Sequence, residues 1–284
     1  EAQIGLALRI LCGFGINEIA TAFLTNKETI NKRLFRAKEK LRTEKVKIEF
    51  PNSTEINKRL ETVLTTLYLL YNEGYYSSSQ DITIRKELCL EAMRLTYLLI
   101  ENTPTNLPAV NALLSLMCFQ SSRFDARTNQ NGDTILYHDQ DTKLWNKELI
   151  EKGELYLNRA SQGDQLTKYH LEAGIAYWHT IKTDIPKKWE NILQLYNRLL
   201  QIEYSPIAAL NRTYALAKAN GIAQAIIEAE KLNLADSHLY HSLLGELYLS
   251  EDKTKAAEHF NKAFLLTRSA ADKAIITDKL RQCF

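Results

Sequence analysis

The sequence predicts an all-α protein, and three observations support that prediction. The 284 residues include only ten glycines and five prolines, a composition that suits long helices joined by short turns. Apolar residues recur at spacings of three and four along most of the chain, which is the period of an amphipathic helix. The last third of the chain also repeats itself with a period of 34 residues, as stacked helical hairpins do.

Charge and pattern divide the chain into three predicted segments. Residues 1–48 hold ten Lys/Arg and five Asp/Glu, a net charge of +5, whereas the other 26 basic and 29 acidic residues give −3. This asymmetry predicts a polyanionic partner for the first segment alone. We expect a DNA-binding domain at 1–48, an α-helical extension at 55–165 and helical repeats at 166–284.

The first segment has the pattern of a helix-turn-helix. An amphipathic helix breaks at the glycine pair Gly13 and Gly15, and a short helix with an apolar stripe follows. The stripe consists of Ile16, Ile19, Ala20 and Phe23. The chain then turns at Leu24–Asn26, where Thr25 with Glu28 three residues later predicts a capping box for a third helix.

The third helix, predicted at about Lys27–Lys45, has one apolar and one basic face. The apolar face consists of Ile30, Leu34, Ala37 and Leu41. The other face carries Lys32, Arg33, Arg36, Lys38, Lys40 and Arg42. One stripe would pack on the preceding helix while the other presents side chains to a DNA groove. By charge alone, a solvated basic helix is the commoner explanation, but the short helix, turn and cap ahead of it favour DNA binding.

These residues resemble region 4 of extracytoplasmic-function sigma factors. The matching stretches are Asn17-Glu18-Ile19-Ala20 and Thr29-Ile30-Asn31-Lys32-Arg33-Leu34-Phe35-Arg36-Ala37-Lys38, where the family carries T-V-x-S-R-L-x-R-A-R. The resemblance implies that this helix reads the minus-35 promoter element and that the domain touches the flap of core RNA polymerase. It implies base contacts for Asn31, Lys32 and Phe35, and phosphate contacts for Arg33 and Arg36. Lys38 and Lys40 extend the expected DNA-binding surface.

Two positions depart from the family pattern. Lys32 replaces the commoner small serine, so the base preference is expected to differ. Leu24 occupies a position where many helix-turn-helix proteins have glycine, so the usual left-handed turn residue is not expected there.

Further helices are predicted in the extension and in the start of the repeat region. They span about Glu55–Asn72, Ile84–Glu101, Pro108–Arg127, Lys143–Arg159 and Lys168–Thr180. Gly74 is predicted to cap the C-terminus of the first of them. A turn is expected at Asn129–Gly132 and a short extended segment at Thr134–Tyr137.

The repeat has the signature of tetratricopeptide (TPR) hairpins. At an offset of 34 residues, five apolar pairs and one small position coincide. The pairs are Leu210/Leu244, Tyr214/Tyr248, Ala223/Ala257, Ile226/Phe260 and Ala229/Ala263, with Asn211/Gly245 at the small position. A degenerate copy is expected around Trp178–Leu200. The proline that usually ends each unit is missing, so the repeats are predicted to be TPR-like.

The extension resembles that of a sigma-factor subgroup with a long TPR-containing C-terminus. The matching pieces are Tyr68–Tyr75, Leu88–Leu95, Asp139–Asp141 with Trp145, and Ser205-Pro206 followed by Leu210-Asn211-Arg212. Members of that subgroup also carry an N-terminal region 2, which binds the polymerase coiled coil and melts the minus-10 element. Residues 1–284 contain no such region, so we expect these residues alone to bind DNA weakly if at all and not to open a promoter.

No enzyme chemistry is predicted. Glu73 beside Gly74 is expected to be a buried hydrogen-bond partner and not a general base. His138–Asp141 is expected to be a turn and not a cation site. The four cysteines form no CxxC pair and the histidines lack metal-ligand spacing, so neither metal nor cofactor is expected. The chain has no apolar run long enough to span a membrane, and we expect it to be cytoplasmic.

The expected function is promoter recognition for RNA polymerase. The extension would regulate it, by docking on the first domain or by binding a protein or small ligand in the groove of the repeats. One alternative is a TPR-type interaction scaffold. Another is a ligand-sensing regulator that acts as a dimeric repressor and would bind a palindromic site.

Overall fold

The computed structural model describes residues 1–45, 52–76, 84–129 and 134–284, and within these ranges the protein is all-α, as predicted. The predicted turn at 129–132 lies almost wholly outside them. The α-helices are α1 Ala2–Ile10, α2 Ile16–Ala22, α3 Lys27–Thr43, α4 Ser53–Tyr75, α5 Lys86–Glu101, α6 Pro108–Ser121, α7 Lys147–Ala160, α8 Lys168–Trp178, α9 Pro186–Ile202, α10 Pro206–Asn220, α11 Ile222–Glu230, α12 His238–Tyr248, α13 Lys253–Leu266 and α14 Ala270–Arg281. Short 3₁₀ turns span Thr103–Thr105, Phe124–Ala126, Tyr137–Asp139 and Thr142–Leu144. None of the described helices combines the length and the apolar content that crossing a bilayer requires.

The chain divides into two compact units, Glu1–Gln165 and Leu166–Phe284. The first unit contains α1–α7, so the basic segment and the extension belong to one unit. The second unit contains α8–α14.

Helix α6 of the first unit is deeply buried and packs on α4, α5 and α7. Nearly all of its residues are buried, because it is apolar around its whole circumference. Its Phe119 ring lies so close to Gly153 of α7 that a Cβ on that glycine would be 2.5 Å from the ring. The hydroxyl of Ser115 donates a hydrogen bond to the Gly153 carbonyl at 2.8 Å. Tyr71 of α4 is also fully buried and donates from its hydroxyl to the Met117 carbonyl at 3.0 Å.

The prediction that Gly74 caps α4 is wrong. The helix continues to Tyr75, and Gly74 lies inside it, facing α5. A Cβ at Gly74 would be 2.7 Å from the Cys89 sulfur and 2.9 Å from the Arg85 carbonyl oxygen. Glycine is therefore needed here for close packing of two helices and not for a left-handed turn.

The extended segment predicted at Thr134–Tyr137 is also not a strand. Thr134 makes a single isolated bridge with Thr128, and the Ile135 amide donates to the Arg127 carbonyl at 2.8 Å. The chain then enters the 3₁₀ turn at Tyr137–Asp139. One pairing contact is too little to continue into a ladder.

The second unit is a succession of helices in which each packs on the next in sequence. Its core is continuous through α8–α14 and includes Ile192, Leu216, Leu244 and Phe260. Small residues allow close contact, since a Cβ at Gly245 would be 2.7 Å from the Phe260 ring. Of the tyrosines at the 34-residue offset, Tyr248 is buried and Tyr214 is 37% exposed.

Two histidines join α12 to α13. The Nδ1 atoms of His241 and His259 are 3.0 Å apart, and Nε2 of His241 is 2.9 Å from the Ala235 carbonyl oxygen. Because that carbonyl can only accept, neutral His241 carries its proton on Nε2. Its Nδ1 is then an acceptor, to which the Nδ1–H of His259 donates. Burial, followed by the proximity of His241 and Lys262, lowers the pKa of His259, although Glu258 and Glu230 oppose the shift.

We expect the second unit to lose stability as the solution becomes more acidic. A histidine with a lowered folded-state pKa contributes stability above the unfolded value of about 6.5 and loses it as the pH falls through the folded value. Urea unfolding at several pH values between 5 and 8 should show this loss for the wild type and less of it for His259→Gln. Asp272 has a lowered pKa as well, but its contribution is lost at more acidic pH. Identical pH profiles for wild type and variant would contradict the assignment.

Candidate nucleic-acid interface

Helix α2 is short and its N-terminus is held by its own third residue. Gly13 adopts φ 73°, a left-handed conformation that reverses the chain after α1. The carboxylate of Glu18 accepts a hydrogen bond from the Gly15 amide, just before the helix begins. Ile19 and Ala20 are buried, so one side of this two-turn helix packs inside the unit.

The turn between α2 and α3 has a left-handed leucine. Leu24 adopts φ 50°. The turn therefore has the left-handed conformation that glycine usually provides at this position, although the residue is a leucine. Its side chain is 73% exposed and gains little from packing.

We expect Leu24→Gly to raise the free energy of unfolding of the first unit by about 0.5–1 kcal/mol. A left-handed L-residue costs about 1–2 kcal/mol, and the greater freedom of glycine in the unfolded chain offsets part of the gain. Leu24→Ala retains the Cβ and should give no gain. Chemical denaturation of the three proteins measures the difference, and a less stable glycine variant would contradict the strain.

The residue that caps α3 is Asn26, and the prediction of Thr25 as its N-cap is wrong. Oδ1 of Asn26 accepts from the Thr29 amide at 2.8 Å. The Thr25 amide instead donates to the Ala20 carbonyl at 2.9 Å, so Thr25 belongs to the turn that ends α2. Two adjacent residues have capping side chains, and the backbone of the preceding turn decides which of them caps.

The inner face of α3 is shorter than the sequence pattern predicts. Ile30 and Leu34 are buried, and Leu34 lies beside Gly5 of α1. Leu41, predicted on the same face, is 44% exposed. The physical reason is length: α3 has 17 residues, whereas α1 has nine and α2 has seven, so these neighbours are too short to cover its last turns.

The outer face of α3 brings together three of the predicted DNA contacts. Lys32, Phe35 and Arg36 are exposed and lie within one turn of each other, on the side opposite Ile30 and Leu34. Phe35 is 68% exposed, which is high for an aromatic ring in a folded domain.

The remaining predicted contacts lie beside this group. Asn31 and Lys38 are seven residues apart and share one flank of α3. Lys40 is exposed, and its Nζ lies 3.8 Å from Oε1 of Glu44. Arg33 differs, because it is half-buried and its Nη1 lies 2.6 Å from Oε2 of Glu1. The structure therefore separates Arg33 from Arg36, although the resemblance gives both the same role.

The extension contacts the other side of this three-helix segment. Both α1 and α2 pack on α4. Arg85 is the residue just before α5. Its Nη1 lies 3.1 Å from Oε1 of Glu18 and 3.8 Å from Oε1 of Glu73. No pattern in the sequence predicts this Arg85–Glu18 contact, since the two residues are 67 positions apart and neither belongs to a motif for ion pairing.

The glutamate, aspartate and cysteines considered for other chemistry have contacts or burial that give them a structural role. Glu73 is buried and faces Arg85. Asp141 accepts from the Lys143 amide at 2.9 Å, so this aspartate bonds its own turn. Burial raises the pKa of both Cys89 and Cys118 to about 12, which keeps these thiols protonated at neutral pH. Across the described ranges, no group of three or more His, Cys, Asp or Glu side chains is arranged to hold a metal.

Comparison with known proteins gives an uncharacterized protein and a family model of unknown function. The chain is 33% identical over 283 residues to an uncharacterized protein of Rhizobium meliloti (strain 1021). The alignment covers 98% of this chain and 66% of that protein, slightly less than two thirds of its length. No solved structure matches. Residues 59–161 match a family model described as "Family of unknown function (DUF6596)", which takes in most of α4 and all of α5–α7 and so contains Arg85 but not the basic helix α3.

Proposed function

We propose that the chain is a sigma factor of bacterial RNA polymerase whose helix α3 reads the minus-35 promoter element. The observation that supports this most strongly is the exposed group Lys32–Phe35–Arg36 on a helix held from behind by Ile30 and Leu34. A helix of this kind, preceded by a short helix and a tight turn, is the geometry of a helix-turn-helix reader.

The three exposed side chains suit different parts of DNA. The Lys32 ammonium can donate to guanine O6 and N7, and the Phe35 ring can contact a thymine methyl in the major groove. The Arg36 guanidinium matches phosphate oxygens, which supply most of the salt-dependent affinity. The guanidinium of Arg33 is already paired with the carboxylate of Glu1, so a smaller share of phosphate binding is proposed for it than for Arg36.

The rest of the chain is proposed to regulate this activity. The successive helix pairs of the second unit support a TPR-like arrangement, in which the helices would form a groove for a protein or small ligand. Core RNA polymerase, through its flap, is the proposed partner of the helix-turn-helix segment, residues 1–48. The same arrangement would also serve an interaction scaffold or a dimeric repressor.

Selection of binding sites from random duplexes, with core polymerase present and absent, separates these functions. A sigma factor should enrich a non-symmetric motif, and core polymerase should strengthen the enrichment. A palindrome enriched without polymerase would indicate a dimeric repressor, because dimers mirror their symmetry in DNA. No enriched motif under either condition would leave the scaffold as the better explanation.

A further inference from the structure

We infer that Arg85 is a positioning residue that ties the extension to α2 and thereby fixes the orientation in which α3 is presented. This inference rests on the proposed function and adds a means of regulating it. Its starting point is the ion pair between Arg85 and Glu18, which joins the extension to the α1–α3 segment.

The two charges of this pair are both partly withdrawn from water. The Glu18 side chain is 13% exposed and that of Arg85 is 24% exposed. Most other ion pairs of the described residues lie at the surface, such as Arg94–Glu91, whose side chains are 58% and 47% exposed. Solvent screens the Arg85–Glu18 pair less, so the attraction between its two charges is stronger than in an exposed pair.

Both residues of the pair are held in place by further hydrogen bonds. Glu18 also accepts from the Gly15 amide, so its carboxylate is fixed against the first turn of α2. The Arg85 amide donates to the Gly74 carbonyl at 2.7 Å, and the Arg85 carbonyl accepts from Leu88 at 3.1 Å at the start of α5. The absence of a side chain at Gly74 allows α4 and this part of the chain to approach so closely.

Arg85 also lies close to two acidic residues of the extension. Its guanidinium lies 3.8 Å from the buried carboxylate of Glu73 in α4 and 3.6 Å from the exposed carboxylate of Glu87 in α5. Glu18, Glu73 and Glu87 therefore belong to three different helices that meet at one cation. A shift of α4 against α5 would move Arg85, and because Glu18 is fixed in α2, it would move the start of α2 as well.

The contact leaves the proposed DNA-binding face open. Arg85 holds the N-terminus of α2, whereas Lys32, Phe35 and Arg36 are exposed on α3. Arg85 should therefore act on DNA binding through the orientation of α2 and α3, without touching DNA.

The test compares Arg85→Met with Arg94→Met in the whole chain. Arg85→Met keeps the apolar stem and removes the charge, and Arg94→Met makes the same change at an exposed pair of the same unit. We expect Arg85→Met to weaken binding to the selected duplex by about 5–20-fold, in the range typical of coupling between sites. We also expect faster hydrogen exchange at the amides of Gly15 and Ile19, and no such effect of Arg94→Met.

A double-mutant cycle with Glu18→Gln distinguishes positioning from a general structural role. Glutamine can still accept from the Gly15 amide, so this change removes the charge and keeps the cap. If Arg85 acts through Glu18, the double variant should bind no more weakly than the weaker single variant. Arg85→Lys, which keeps the charge, should recover part of the affinity.

Two outcomes would overturn the inference about Arg85. One is a loss of affinity from Arg85→Met no larger than that from Arg94→Met, and the other is additive effects in the cycle. If the wild type binds no duplex even with core RNA polymerase present, the proposed function fails, but hydrogen exchange still decides about Arg85. Exchange in α2 that is unchanged by Arg85→Met would then overturn the inference separately.

Discussion

Lys32→Ala is expected to cost about 1–3 kcal/mol of promoter-binding free energy and to relax the preference at one base pair, because it removes a side chain proposed to read a base edge. Arg36→Ala is expected to weaken binding to all duplexes alike. It should also reduce the slope of log affinity against log salt by about one, since one phosphate contact is lost. Fluorescence anisotropy with a labelled duplex at several salt concentrations measures both effects.

Lys58→Ala and Arg33→Ala are the matched comparisons. Lys58 is an exposed lysine of α4, and its loss should change neither affinity nor base preference. Arg33 is paired with Glu1, so Arg33→Ala should reduce affinity less than Arg36→Ala. Equal effects of Lys32→Ala and Lys58→Ala would mean that α3 attracts DNA only by general charge.

Phe260→Ala is expected to destabilise the second unit by about 3–5 kcal/mol, the usual cost of removing a fully buried aromatic ring. Phe260 is 2% exposed and packs against Gly245, where no side chain can move in to fill the space. Because α1–α3 belong to the other compact unit, hydrogen exchange there should remain as in the wild type.

Phe264→Ala provides the control for this prediction. Phe264 lies one turn later in α13 and is 37% exposed, so its removal should cost much less. Native-state hydrogen exchange gives the opening free energy of each unit separately. Similar losses from both variants, or a loss that extends to α1–α3, would contradict the separation of the two cores.

The sequence is informative about the structure wherever local periodicity decides the outcome. The spacing of Ile30 and Leu34 correctly predicts the buried face of α3, and the basic residues Lys32, Arg36, Lys38 and Lys40 lie on its exposed side as predicted. Leu41 follows the same period but is exposed, because its burial depends on the lengths of two other helices.

Other features depend on tertiary packing that no local pattern contains. Gly74 has the same appearance in sequence whether it caps a helix or lets two helices approach, and only the position of Cys89 distinguishes these roles. Thr25 and Asn26 both have capping side chains, and only the backbone of the turn shows that Asn26 is the residue that caps α3. The Arg85–Glu18 pair joins residues far apart in sequence and so could not be predicted from the spacing of charges.

Run-off transcription tests the proposed function most directly. The assay combines core RNA polymerase with the complete natural chain that includes residues 1–284, on templates that carry the selected motif. We predict transcripts that start at a fixed distance from the motif and that are lost with Lys32→Ala or Arg36→Ala, but retained with Lys58→Ala. Transcription that does not depend on the motif, or that is indifferent to Lys32 and Arg36, would contradict promoter reading by α3.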